Sequence, residues 1–436
     1  MKQKYNKCAG IDIGSTQIFI AVENENNFTS YGTTTSDFHL AASMLANKDI
    51  KNIAMEATGV YWMGLYDILE SRGFKVTLVK AGDAKNLPGR DKTDGEDCQW
   101  ICKLFSHGLL RASVIPEDKI RQLRVFIRMR QDHISIAAQH KQHIQKAFVM
   151  MNVRLPETIS DITGTSGRKM IEAILNGERD AKQLLSLCHS TIRNKKEEQI
   201  LKALTGIYKE EYVFALEQAY QCWKFYQSKI EQCDEKINEW LKVIVPENAI
   251  DKKVKVKKSV GVNKLNIEDI EYKLIALHGG IDVTKLPGIG CNTAMQLISE
   301  LGLDLSKWGS DKRFVSYLGL CGQKNYSGKM KKHKKKKMPI AGQIFREAAQ
   351  TLMQSTKTGL GTFARRLKAR KGPYVAIKAT ARKLAILYYN LFTKGINFVE
   401  KGVKDYEDKI KQTEIYRLAK LAKKHGYVLA NAQLHQ

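Results

Sequence analysis

The sequence predicts an α/β domain at the N-terminus, a long helical and partly coiled-coil middle, and a mostly helical C-terminal domain with a helix-hairpin-helix. Three observations predict it. Short apolar runs alternate with helix-like stretches from residue 8 to about 115. Apolar residues then recur at spacings of three and four through 120–151 and 210–245, the period of an amphipathic helix. A Gly-rich hairpin, LPGIG (286–290), finally opens a segment running to about residue 395.

Each element has its reason. The runs around Cys8 to Ile13 and Ile18 to Val22 read as two strands joined by a turn at Gly14 and Ser15. NIAME (52–56) is another strand-length run. A helix over 61–71, closed by Gly73, leads to a strand at Lys75 to Val79. Strands followed by β-α-β suit a mixed sheet flanked by helices. Residues 155–205 mix Gly, Ser and charge without a clear period. DKKVKVKKSVG (251–261) reads as a basic linker, and the last 40 or so residues as a charged helix with a loose tail. The divisions expected are 1–117, a helical dimerisation region over 118–250, a linker over 251–277, 278–400 and 401–436.

Charge identifies the class of partner. Lys and Arg total 72 against 45 Asp and Glu, a formal net of +27. Residues 324–383 hold 18 Lys or Arg and a single acid, Glu347, so +17 of the excess lies in that one segment. A clustered surplus of this size implies a polyanion, because each phosphate contact releases condensed counterions. A hydrophobic share of 43% excludes wholesale disorder. No apolar run approaches the roughly 20 residues that span a bilayer, so the expectation is a cytoplasmic protein with no membrane partner. The eight cysteines form no CxxC pair and are expected as reduced, buried thiols.

Four acids stand where metal-dependent phosphoryl transfer would want them. Asp12 lies inside an apolar strand, a costly place for a charge unless a cation compensates it. Glu56 ends another strand, and Asp94 and Asp97, three apart, share a face of any helix that carries them. Acids converging from sheet and helix can supply the oxygen ligands that two Mg²⁺ ions require. Asp91 and Glu96 are neighbours that spacing alone does not separate from this set.

In the C-terminal half, Gly288 and Gly290 of the hairpin would seat a phosphate on backbone amides at a helix N-terminus. Beyond it, Lys329, Lys331, Lys332, Lys334, Lys335, Lys336 and Lys337 form a run directly after Ser327 and Gly328. A serine beside phosphate-binding lysines could attack DNA if its proton is removed and the leaving oxygen stabilised. Arg365 and Arg366 belong to a further basic helical face, suited to backbone contacts. A rival reading starts from GIDIGST (10–16), which also resembles the first phosphate loop of the actin, Hsp70 and sugar-kinase superfamily. Such an ATPase needs a second Asp-x-Gly phosphate loop and a late Gly-Gly motif; Gly279 and Gly280 stand in the wrong context, and the basic segment goes unexplained.

Taken in order, GIDIGST (10–16), AMEATGVYW (54–62), KNLPGRDKTDGEDCQWICKLFSHGLL (85–110), LRVFIRMR (123–130), LPGIGCNTAMQLISELG (286–302) and FVSYLGLCGQKNYSGK (314–329) resemble the DEDD transposases of the insertion-sequence one-ten group, most closely its eleven-eleven branch. The resemblance implies a RuvC-like, ribonuclease-H-like nuclease domain with Asp12, Glu56, Asp94 and Asp97 as catalytic metal ligands and Ser327 as nucleophile. It also implies a structured non-coding guide RNA that pairs with donor and target DNA, and a composite active site shared within dimers or tetramers. A bacterial or archaeal, nucleoid-associated protein is implied as well. The alternatives are a Holliday-junction nuclease, which cuts with metal-activated water, and a non-catalytic nucleic-acid-binding descendant.

Overall fold

The computed structural model describes residues 3–57, 59–79, 94–110, 112, 117–256, 258–261, 263–321, 338–356 and 358–428. They divide into two compact units, 1–115 and 116–436. No described helix is long and apolar enough to cross a membrane.

The first unit is built on one five-stranded sheet. Strands β1 (Cys8–Ile13), β2 (Gln17–Val22) and β3 (Phe28–Gly32) form an antiparallel meander. Strand β4 (Asn52–Glu56) then pairs parallel to β1, and β5 (Lys75–Val79) parallel to β4, giving the order β3-β2-β1-β4-β5. Helix α1 (Thr35–Asn47) crosses over to β4, and α2 (Trp62–Ser71) to β5. Alternation assigns the faces. Ala9, Ile11, Ile13, Ile18, Ile20, Ile53 and Met55 pack with Leu45, Leu65 and Leu69 of those two helices. Cys8, Ala21, Ala54 and Val79 face the other way, against Cys98, Ile101, Cys102 and Phe105 of helix α3 (Asp94–Ser106).

Neither β3 nor α1 is foreshadowed by periodicity. The edge strand FTSYG is exposed over its first three residues and shows no buried alternation. The start of α1 is set instead by a capping box: the Asp37 amide donates to Thr34 Oγ1 (3.2 Å) and the Thr34 amide to Asp37 Oδ2 (3.1 Å).

The second unit is helical. Helix α4 (Asp118–Met150) runs antiparallel to a later helix, Glu210–Ile244, so that Trp240 Nε1 donates to the Lys119 carbonyl (2.7 Å) at one end while Phe148 and Leu216 share a core at the other. Between them come four short helices, α5 (Leu155–Thr158), α6 (Thr165–Leu175), α7 (Ala181–Ser186) and α8 (Ser190–Leu204), before α9 (Glu210–Ile244) returns. Ile171, Ile174, Leu184 and Ile200 of the short helices complete the core at that end.

Helices α10 (Ile270–Leu277), α11 (Cys291–Leu301), α12 (Asp311–Tyr317), α13 (Ile340–Leu352), α14 (Gly359–Lys371) and α15 (Pro373–Lys394) follow, and the charged helix α16 (Ile396–Lys424) ends the described chain. The base of the long pair is fastened to α11: Arg128 forks onto Glu300 (2.8 and 2.9 Å), Arg124 donates to the Ser299 carbonyl (2.8 Å), and Gln296 donates to Gln131 (2.8 Å). The eight cysteines are free thiols. Six are buried; the expectation of burial fails at Cys222, which is exposed on α9, and at half-buried Cys321.

Candidate carboxylate site and basic surfaces

The sheet register brings the first two acids together. Gly10 pairs with Ala54 and Ile11 with Met55 across β1 and β4, so one step on Asp12 and Glu56 stand level on neighbouring parallel strands. Register partners share a face, and strands lie about 4.8 Å apart. The face is the one covered by α3. A Cβ placed on Gly10 would meet the Cys102 amide nitrogen at 2.3 Å and the Cys98 carbonyl at 2.5 Å, so the helix backbone lies directly on this strand. Asp12, two residues on, points the same way, as does Glu56 two beyond Ala54. Small residues at Cys8, Gly10, Ala21 and Ala54 let the helix approach this closely, which motif reading of the acids alone misses.

Helix α3 supplies the other acids. Asp94 is its first residue, its side chain outside the described ones, and Asp97 follows one turn later. Exposure is 8% for Asp12, 1% for Glu56 and 9% for Asp97, so three carboxylates are withdrawn from water. Cys98 records their proximity: burial, then the charge of Asp12, then that of Asp97 push its thiol up to about 12. Glu96 is half-buried and Asp97 buried, a difference in exposure between two neighbours that spacing does not show. Asp91 lies outside the described residues.

Carboxylate oxygens are the donors that hard divalent cations take. Withdrawing several negative charges from water on one face is costly unless a cation compensates them. By donor chemistry, the residues present fit such an ion. Among the described residues, no group of three or more His, Cys, Asp and Glu is arranged to hold one as it stands.

In the second unit the hairpin glycines separate in role. Gly288 adopts a left-handed φ of +80°, and a Cβ there would meet the Ala348 carbonyl at 3.0 Å and Leu352 Cγ at 3.1 Å. It is therefore required for packing against α13 as well as for the turn. Gly290 caps α11 and has open space where a Cβ would stand, leaving that helix terminus approachable. Arg365 is half-buried and donates to Thr362 Oγ1 (3.3 Å). Arg366 pairs with Glu414 of α16, an acid from the tail helix that offsets part of the expected basic face. Ser327 and the lysines at 329, 331, 332 and 334–337 lie outside the described residues.

Two family models match the chain. One, a transposase model of the DEDD, IS110 type, covers residues 9–152, which include all four acids. The other, described as Transposase IS116/IS110/IS902 family, covers 282–363, from the hairpin through Ser327 into α14. No curated protein matches the chain.

Proposed function

The chain belongs to the IS110 family of DEDD transposases, enzymes that cut and rejoin DNA, and from that premise we propose an RNA-guided, serine-linked recombinase that moves its own element. The observation that carries the reading is the shared burial of Asp12, Glu56 and Asp97 against the α3 face of the sheet, with Asp94 at the start of that helix.

In this reading Asp12, Glu56, Asp94 and Asp97 hold the metal, Mg²⁺ as two ions, and orient the scissile phosphate. Bound there, Mg²⁺ supplies Lewis-acid polarisation of the phosphate and offsets the charge on the departing oxygen. Ser327 Oγ attacks phosphorus, giving up its proton; the O–P bond to serine forms as one phosphodiester O–P bond breaks, and the released sugar oxygen takes up a proton. The phosphoserine ester keeps the energy of the broken bond for rejoining. Lys329, Lys331, Lys332 and Lys334–Lys337 neutralise strand phosphates, in keeping with the +17 carried by residues 324–383. A structured non-coding RNA selects the DNA by pairing, and a dimer or tetramer joins the carboxylates of one subunit to the serine of another.

The test is covalent trapping on DNA spanning the element's junction, with the flanking RNA and Mg²⁺ supplied, resolved on a denaturing gel. Wild type should leave a protein–DNA adduct that both Ser327→Ala and Asp12→Ala abolish. Clean cleavage without an adduct, lost only in Asp12→Ala, would replace this reading with a structure-specific nuclease that uses water.

A further inference from the structure

A small cavity of about 290 Å³ opens between α13 and α15, lined by Gln343, Arg346, Glu347 and Gln350 with Met338 and Ile377. Beside it stands Tyr374, 65% exposed, with the Arg346 guanidinium 5.6 Å from its ring centroid. We propose that this groove, with Tyr374 as its stacking platform, binds an unpaired nucleobase of a DNA strand. The inference rests on the reading of the chain as a DNA-cutting enzyme, and needs neither the carboxylates nor Ser327.

The lining chemistry selects a base over a phosphate. Two amides offer donors and acceptors, the guanidinium only donors and the carboxylate only acceptors, which is the mixture a Watson–Crick edge presents. A carboxylate in the lining works against a phosphate there through like-charge repulsion. Glu347 is the single acid among residues 324–383; the residue is exposed, yet partial desolvation of its carboxyl raises its pKa. It therefore sits, partly desolvated, where a basic surface alone would place none. Gln343 is held in place by donating from Nε2 to the Met338 carbonyl (3.1 Å), so the groove is organised in advance.

The surroundings supply the remaining contacts. Tyr374 lies in the first turn of α15, and Lys378 and Arg382 follow it at four-residue steps on one stripe of the helix. Arg370 and Lys371 are exposed just before it, so cations flank the ring on both sides in sequence. An exposed aromatic ring among cations is the arrangement that holds a single strand, bases stacked and phosphates neutralised. A duplex keeps its bases stacked inside and cannot fill the groove. DNA is favoured as the source because Gln343, Arg346, Glu347 and Gln350 all fall in the segment matched by the transposase family.

The experiment uses the full-length protein and fluorescence anisotropy with three probes of one sequence: single-stranded DNA, duplex DNA and single-stranded RNA. Tyr374→Ala should weaken single-stranded DNA binding about 5- to 100-fold while Tyr374→Phe restores it, and the duplex should be unaffected by either. Glu347→Gln should change the ranking of strands carrying dA, dC, dG or dT at one position. Equal losses on duplex and single strand, no loss in Tyr374→Ala, or the same Tyr374 dependence with tighter binding to RNA would each overturn the proposal. If no variant cuts DNA yet the Tyr374 pattern holds, the recombinase reading fails and the base site stands.

Discussion

Arg130 and Asp234 meet inside the long helical pair, Nε to Oδ1 at 2.6 Å and Nη2 to Oδ2 at 3.2 Å, with both side chains all but excluded from water. Arg130 also reaches the carbonyls of Asn263 (3.3 Å) and Lys264 (2.9 Å), while the Asn266 amide donates to Asp234 (3.1 Å). The pair thus ties both long helices to the segment leading into α10.

Removing one partner leaves the other charged and stranded. Arg130→Ala should cost about 3–5 kcal/mol of stability, whereas the double variant Arg130→Met with Asp234→Leu should recover most of it. Urea denaturation of the three proteins decides the point. Equal losses in single and double variants would mean that packing volume, and not the stranded charge, sets the cost.

Gly10→Ala tests the seat of α3. A Cβ there collides with backbone, which cannot swing aside as a side chain can, so the helix must lift. Displacing Asp97 by about 1 Å should lower cleavage about 100-fold even where the protein stays folded. Activity and circular dichroism measured together would check it; full activity in a folded Gly10→Ala would show that α3 does not position the site.

Asp12 and Glu56 on the sheet and Asp97 on the helix that covers it are all buried, and like charges brought close in such a site raise its energy when no cation is bound. Asp12→Asn should therefore raise the melting temperature of metal-free protein by a few degrees, about 1 kcal/mol, while cleavage disappears. Added Mg²⁺ should stabilise wild type more than the variant. Thermal melts with EDTA and with Mg²⁺ give the comparison, and a variant less stable than wild type in EDTA would contradict it.

His278 makes stability pH-dependent. Burial lowers its pKa from the usual 6.5 to about 4, with the Leu274 carbonyl 2.6 Å from Nδ1 and the charge of Asp282 opposing the shift. The unfolded chain binds a proton near pH 6.5 and the folded chain does not until about pH 4. The contribution is thus complete above pH 6.5 and is lost as pH falls toward 4, by roughly 2 kcal/mol at pH 5. Denaturation midpoints between pH 5 and 7.5 should show this slope in wild type and a flatter one in His278→Gln.

The sequence made legible what depends on period and spacing. The long helices and the β-α-β order follow from apolar periodicity, and the candidates Asp12 and Glu56 from a charge inside one apolar run and a charge at the end of another. What escaped depends on other physics. The four-residue helix at Leu155–Thr158 and the six-residue helix at Ala181–Ser186 are too short for a 3.6-residue period to register. The difference in exposure between Asp97 and Glu96 is a matter of which way a helix faces, and the pairing of Arg366 with Glu414 joins residues far apart in the chain.

The antiparallel run of α4 and α9 means that the chain leaves and re-enters the short-helix cap at the same end, while Arg130 and Asp234 hold the other end fixed. Length is therefore the one dimension in which this part can be altered freely. Seven residues inserted into each arm preserve which side chains face inward and carry the cap about 10 Å outward. The paired helices are a ruler whose graduations are heptads, and the span there can change without redesigning either end.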